Sequence, residues 1–173
     1  MENKKIILLP NHEKNIKDKP KRKVSFLWSQ CIIHCDIDDI LDGLTKVQNT
    51  SLIHIPNGVP YELYKQCSYK RSGYIQQDRR KKMTTENVVS ICDIATKLIE
   101  SNLQCYYCTN TTTIFYKDVR DPKQWTLDRL DNTFGHTKDN VVICCLSCNI
   151  GRKTMYKERY LFTKQLNITK QGV

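Results

Sequence analysis

The sequence contains no long apolar run. No stretch approaches the ~20 consecutive apolar residues that a helix needs to cross a bilayer, which excludes a membrane-spanning protein. Near the N-terminus, the apolar patch covers only Ile6 to Leu9 before Pro10, shorter than the ~7–15 residues of a signal-peptide core. We therefore expect no secretion and an intracellular protein in a reducing compartment, the cytoplasm or the nucleus.

The sequence also lacks internal repeats and low-complexity segments. Its 173 residues are 39% hydrophobic and 27% charged, a composition typical of a soluble protein. This length fits one domain, or one small domain with an elaborated arm.

Acidic residues are outnumbered by basic ones, and the formal net charge is +10. Residues 1–83 contain 16 Lys/Arg and nine Asp/Glu, whereas residues 84–173 contain 12 and nine. This balance favours a polyanionic partner, usually nucleic acid. The alternative is a basic protein whose charge only maintains solubility.

The nine cysteines are an odd number, and no secretion signal accompanies them, so a disulfide framework is not favoured. Two CxxC pairs, Cys105 with Cys108 and Cys145 with Cys148, supply the ligand set of a closed tetrahedral zinc site. Such a site has no open coordination position and is structural. Cys144 is an alternative zinc ligand to Cys145. Its CxxxC spacing to Cys148 is less suitable than CxxC for the tight turn that directs two sulfurs at one ion.

The N-terminal part has three predicted segments, at residues 1–24, 26–48 and 61–82. Residues 1–24 form a basic, poorly ordered lead-in, whose run at 17–23 is a solvated tail, a nuclear import signal or a phosphate-binding arm. Residues 26–48 have the periodicity of an amphipathic helix. Their Cys31-x-x-His34-Cys35 group is either buried and structural, or joins His54 or Cys67 in a second zinc site.

Tyrosines and cations then alternate between residues 61 and 82, which suits either a nucleic-acid surface or a polar loop or helix. The candidate nucleic-acid ligands of this segment are Lys70, Arg71, Arg79, Arg80, Lys81 and Lys82. A helix is predicted from Glu86 to Ser101, capped by Thr84 or Thr85, with Cys92 on its apolar stripe and in the core.

The segment between the CxxC pairs predicts a strand at 124–128, a loop at 132–139 and a β-branched strand at 140–144. A basic amphipathic helix follows from Asn149, and its Arg152 and Lys153 are further candidate nucleic-acid ligands. The order is therefore strand, loop, strand, helix, with zinc at both ends.

The cysteine pair CYYC, followed by WTLDRLDNTFGHTKDNVVICCLSCN, resembles the zinc-bearing form of the HNH endonuclease family. The resemblance covers roughly residues 105–160, and the segment before it is similar to HNH proteins of large DNA viruses and phages. It implies a ββα-metal fold that cleaves DNA phosphodiester bonds with one divalent metal, typically Mg²⁺ or Mn²⁺.

The resemblance also implies roles for individual residues. Asp128, at the end of the first strand, and Asn149, after the last zinc cysteine, correspond to the two protein ligands of the catalytic metal. Oxygen ligands suit such a hard cation. Asn140 corresponds to the motif asparagine that supports the loop and positions the base.

The sequence departs from the family at Arg129, where many members have a histidine as general base. An arginine stays protonated, so Arg129 is expected to bind the phosphate or its transition-state charge. His136 becomes the candidate base, since its ordinary pKa of ~6.5 suits proton abstraction. The alternatives are that His136 is a surface loop residue, or that no protein base is needed. If no protein base is needed, Asp131 is either a further ligand of the catalytic metal or fixes the turn by an Asx hydrogen bond.

These observations predict an α+β protein. Its parts are the lead-in at 1–24, a helical, basic and aromatic region at 25–83, an HNH-like domain with zinc at 84–165 and a tail at 166–173. The predicted function is metal-dependent DNA cleavage. The alternatives are a catalytically inactive, zinc-stabilised DNA-binding protein of the same fold, and a zinc-stabilised interaction protein without a nucleic-acid role.

Overall fold

The computed structural model describes residues 20–49, 55 and 57–166. This part of the chain is α+β, as predicted. Its helices and strands are, in order, α1 (Phe26–His34), α2 (Ile37–Asn49), α3 (Val59–Arg80), α4 (Ile91–Glu100), β1 (Trp125–Arg129), β2 (Val141–Cys145), α5 (Leu146–Arg152) and α6 (Lys157–Gln165). A single 3₁₀ turn, Lys138–Asn140, precedes β2. Within these ranges no helix has the length and apolar character to cross a membrane.

The two strands form an antiparallel pair in which Trp125 lies opposite Cys145 and Arg129 opposite Val141. Each strand begins one residue after the predicted start and ends one residue later. All five side chains of β1 are buried, because both faces of this strand are covered. The strand pair therefore lies inside the molecule, with α5 beginning directly after β2.

The single helix predicted over residues 26–48 is two helices. Cys35 has an extended conformation and ends α1. The backbone N–H of Asp39 then donates to Asp36 at 2.9 Å, and that of Asp36 to Asp39 at 3.3 Å, a reciprocal cap that starts α2. Asp36 and Asp39 thus act as the start signal of α2.

The helix predicted from Glu86 begins five residues later. Ser90 and Asp93 form a capping box that starts α4, so Thr84 and Thr85 are not its cap. Just before this cap, the Val89 N–H donates to the His136 carbonyl at 2.8 Å. The prediction for Cys92 is wrong, because α4 buries Ile94, Ala95 and Leu98 and the Cys92 side chain is exposed.

The alternating tyrosines and cations between residues 61 and 82 belong to the 22-residue helix α3. Pro60 lies in its first turn, where a missing N–H costs nothing. The helix ends at Arg80, just before Lys82 takes a positive φ of 56°. Its buried side chains include Leu63, Cys67 and Tyr74. The segment is therefore a helix, as one of the alternatives predicted, and part of its tyrosine side chains are buried.

One hydrophobic core joins the predicted N-terminal region to the predicted nuclease module. It extends from Trp28 and Leu44 through Leu98 to Leu127 and Ile143. The core therefore crosses the predicted boundary at residues 83 and 84.

Residues 20–24, assigned to a poorly ordered lead-in, contact the loop before β1. The Arg22 N–H donates to the Lys117 carbonyl at 2.8 Å. The Arg22 guanidinium lies 4.8 Å from the Trp28 ring and 4.4 Å from the Tyr116 ring. The basic run at 17–19 and the tail from 167 lie outside the described residues.

The shared core makes a prediction about cooperativity. Leu44→Ala should reduce the free energy of unfolding by about 2–5 kcal/mol, because the Leu44 side chain is fully buried between α2 and its neighbours. Denaturation followed by circular dichroism should show one transition that shifts as a whole. Ile33→Ala, at a side chain 62% exposed, is the control and should change the value by less than ~0.5 kcal/mol. Two transitions, of which only one moves, would contradict a common core.

Candidate functional site

The four cysteines of the two CxxC pairs converge on one point. Their sulfur atoms all lie within 4.8 Å of one another, and the Sγ atoms of Cys108 and Cys145 are 3.9 Å apart. Tetrahedral thiolate ligands at ~2.3 Å from zinc are separated by ~3.8 Å. The cluster can therefore hold a structural metal ion such as zinc.

Cys145, not Cys144, belongs to this cluster. Strand β2 alternates its side chains, so the two adjacent cysteines face opposite sides. The Cys144 sulfur instead lies 3.3 Å from the Thr126 hydroxyl. A hydrogen bond between Cys105 and Cys145 lowers the pKa of the Cys145 thiol and raises that of Cys105, so the two sulfurs are in direct contact.

No second metal cluster occurs among the described residues. Cys31 and Cys67 are buried in the hydrophobic core, whereas His34 is exposed. Cys35 is half-buried, so the interpretation of this group as buried and structural holds for Cys31 alone. His54, the other proposed partner, lies outside the described residues.

The first CxxC pair also fixes the side chain of Asp128. Tyr107, between the two cysteines, is fully buried and donates its hydroxyl hydrogen to Asp128 Oδ2 at 2.7 Å. The Arg152 guanidinium binds the same carboxylate from α5, with Nε 2.5 Å from Oδ2 and Nη2 3.0 Å from Oδ1. Asp128 is thus held by a buried bidentate ion pair.

A cavity of about 460 Å³ lies beside this ion pair. Its lining includes four of the predicted catalytic residues, which are Asp128, Arg129, His136 and Asn149. They come from the end of β1, the loop between the strands and the start of α5. Side chains that are up to 21 residues apart in the sequence therefore meet at one concave surface.

Arg129 is buried, with 7% of its surface exposed. Its Nη1 donates to the carbonyl oxygens of Asn132 at 3.4 Å and Phe134 at 3.2 Å. Among the described residues it forms no ion pair. A buried guanidinium that borders a cavity without a carboxylate partner is suited to bind an anion.

His136 is not a surface residue, since only 3% of it is exposed. Its Nδ1 lies 2.8 Å from Oδ1 of Asp78 on α3. Burial lowers the pKa of His136 from its ordinary value, although the contact with Asp78 opposes that shift. Burial thus favours the neutral imidazole, the form that can accept a proton.

Asn140 and Asn149 have different surroundings. The Asn140 amide group donates to the carbonyls of Asp131 at 2.9 Å and Gly135 at 3.0 Å, and its oxygen accepts from the Asp131 N–H. It supports the loop and does not line the cavity. The Asn149 amide nitrogen donates to Thr126 and Leu127, each at 3.0 Å, which leaves its oxygen without a described partner.

Asp131 fixes the turn after β1. Its Oδ1 accepts from the backbone N–H of Thr133 at 2.8 Å and from its hydroxyl at 2.7 Å. This is the Asx-type arrangement. The side chain does not line the cavity of Asp128.

The predicted nucleic-acid ligands divide into two groups. Arg152 is 1% exposed and bound to Asp128, and the Lys70 ammonium donates to the Trp125 carbonyl. Arg71 is half-buried and donates to the Val89 carbonyl at 2.8 Å. These three cations serve internal contacts. The exposed ones are Arg79, Arg80, Lys81, Lys82 and Lys153, of which Lys81 and Lys153 line the cavity.

Sequence reasoning missed Asp78, Tyr107 and the pairing of Arg152. Asp78 lies 58 residues before His136, and no local spacing connects them. Gly135 is the available signal, because a Cβ there would lie 3.0 Å from Asp78 Oδ2 and 3.1 Å from the Thr84 carbonyl oxygen. A glycine beside the candidate base thus marks a close approach of another segment.

Comparison of the chain with protein-family models, curated proteins and solved structures found no match in any of the three. The likeness to the HNH family therefore depends on the motif residues alone.

The cysteine geometry predicts the metal content of two neighbouring variants. Wild type should contain about one zinc per chain. Cys145→Ser should lose it, because one of the four ligands is removed, whereas Cys144→Ala, the matched control, should retain it. Elemental analysis of the purified proteins measures this. A folded wild-type protein without metal would refute the four-thiolate site.

Proposed function

We propose that the protein is a metal-dependent DNA endonuclease of the HNH type, which hydrolyses phosphodiester bonds. The observation that carries the proposal is the convergence of Asp128, Arg129, His136 and Asn149 on one cavity. A carboxylate, an amide oxygen, an unpaired guanidinium and a neutral imidazole are the groups that phosphodiester hydrolysis needs.

The cations around the cavity determine where DNA binds. Lys81 and Lys153 line it, and Arg79, Arg80 and Lys82 are exposed at the adjoining end of α3. They bind backbone phosphates and carry no sequence information by themselves. Arg129, at the cavity wall, then binds the scissile phosphate and the charge that develops on it.

The oxygen atoms available in the cavity fit a Mg²⁺ or Mn²⁺ ion. Asn149 Oδ1 has no described partner, because its nitrogen makes both hydrogen bonds of the amide. Asp128 Oδ1 accepts one hydrogen bond, from Arg152, and retains a lone pair. Asp128 and Asn149 would hold the ion, which when bound stabilises the charge of the phosphate and the leaving 3′ oxygen.

His136 supplies the base in this proposal. Its Nε2 accepts a proton from the attacking water, whose oxygen bonds to phosphorus as the bond to the 3′ oxygen breaks. Arg129 cannot serve, because a guanidinium remains protonated. Asn140 keeps the loop in place through its four hydrogen bonds to backbone groups of residues 131–135.

A second candidate function is sequence-independent DNA binding without cleavage. The observation that favours it is the bidentate ion pair of Asp128 with Arg152, since a carboxylate already neutralised by arginine binds a metal less strongly. In this function the zinc cluster and the exposed cations serve only to hold DNA.

Asn149→Ala separates the two functions. It removes the amide oxygen from the cavity but leaves the Asp128–Arg152 pair intact. Nicking of supercoiled plasmid with Mg²⁺ or Mn²⁺ should occur with wild type and fall to background in N149A, while salt-dependent DNA binding persists. Asn110→Ala, at an exposed residue outside the cavity, is the control and should nick normally. If N149A nicks as wild type does, or wild type binds DNA without nicking it, the nuclease proposal fails.

The pKa of His136 sets the expected pH dependence. Because burial lowers that pKa, the acid limb of kcat/KM should lie below pH ~6.5. His136→Gln should reduce kcat by about 10²–10⁴-fold and abolish the limb. A limb of kcat/KM at or above pH 7 would contradict the assignment of His136 as the base.

The lowered pKa of His136 also affects folding. The unfolded chain binds the proton more readily, so stability is full above pH ~6.5 and decreases as the pH falls through the folded pKa.

A further inference from the structure

The ring of His136 is held by two groups of helix α3, which lies outside the motif that resembles the HNH family. Asp78 Oδ1 lies 2.8 Å from Nδ1, and Asp78 Oδ2 accepts from the His136 backbone N–H at 2.8 Å. Tyr74 stacks on the imidazole with the ring centroids 4.5 Å apart and the planes at 26°. One carboxylate thus binds both the ring and the backbone of the same residue.

The carboxylate determines which ring nitrogen carries the proton. A carboxylate accepts hydrogen bonds and donates none, so the proton lies on Nδ1 and the lone pair on Nε2. Within the described part of the chain Nε2 has no hydrogen-bond partner, and the ring borders the cavity of Asp128 and Arg129. Its lone pair is therefore available to a proton donor there.

We propose that Asp78 is the positioning residue of this site, which holds His136 in the tautomer and orientation that present Nε2 to the cavity. The catalytic part of this inference rests on the proposed nuclease function, whereas the tautomer does not. Asp78 does not touch the reacting atoms and acts through His136 alone.

The surroundings of Asp78 are suited to a fixed geometry. Its side chain is fully buried, and its carbonyl accepts from the N–H groups of Lys81 and Met83, each at 3.0 Å. Tyr74 is fixed in turn, since its hydroxyl oxygen accepts from the Leu127 N–H at 2.8 Å. Gly135 allows the loop to approach the carboxylate.

Asp78→Asn tests this with little change in shape. The backbone N–H of His136 requires an acceptor, so the amide oxygen takes the place of Oδ2. The amide N–H₂ then faces Nδ1 as a donor. This forces the ring proton onto Nε2 and removes the lone pair from the cavity. The variant should thus keep the fold and reverse the tautomer.

The first measurement is nitrogen NMR of the histidine rings in the zinc-bound protein near pH 7. His136→Gln assigns the signals among the four histidines of the chain. Wild type should have the proton on Nδ1, and D78N should have it on Nε2. Asp139→Asn removes a charge from an exposed residue of the same loop and should leave the tautomer unchanged. A wild-type ring protonated on Nε2 overturns the proposal, even if D78N does not fold.

The second measurement is plasmid cleavage by the same proteins. D78N should lower kcat by about 10²–10⁴-fold with little change in KM, and D139N should cleave normally. The double variant D78N/H136Q should be no slower than H136Q alone, because Asp78 acts only through that ring. D78N that reverses the tautomer and still cleaves at the wild-type rate would overturn the catalytic role of Asp78. Wild type that shows the expected tautomer but no cleavage would refute the nuclease function and leave the positioning of His136 by Asp78 supported.

Discussion

The meeting of two distant cysteine pairs is the constraint on which the rest of the site depends. The pairs are separated by 36 residues, and their sulfurs lie within 4.8 Å of one another. The segment between them contains β1, a single 3₁₀ turn and most of β2, and a two-stranded sheet by itself is marginally stable in water. The cysteines close both ends of this pair. The end of β1, the loop and the start of α5 thereby have fixed relative positions.

The cysteine cluster is connected to the candidate active site by a short series of buried contacts. Tyr107 lies between two metal-ligand positions and binds Asp128, which also pairs with Arg152. Tyr160 of α6 packs edge-on against Tyr107 at 5.0 Å. The Asp128 carboxylate is thus joined to the cysteine cluster through the buried ring of Tyr107.

Short-range patterns in the sequence predicted the elements that short-range interactions determine. The CxxC spacing identified the cysteine cluster, and β-branched runs placed both strands to within one residue. The prediction was less accurate for features that are determined by contacts between residues far apart in the sequence. Cys92 was assigned to a core that it does not enter, because α4 buries Ile94, Ala95 and Leu98 and leaves Cys92 exposed. Arg152 was assigned to DNA because its charge is visible in the sequence, whereas its buried partner Asp128 is 24 residues away. The partner of His136 lies on a helix whose own pattern gives no indication of the site.

The sharing of His136 and Asp78 between two regions has a consequence for how this protein can be divided. A fragment that starts at residue 84 would contain all four cysteines of the cluster and every residue of the family-like motif. It would lack the carboxylate that orients the imidazole, the tyrosine that stacks on it and most of the exposed cations beside the cavity. The smallest unit that could be transplanted into another protein is therefore larger than its sequence signature, because α3 belongs to it.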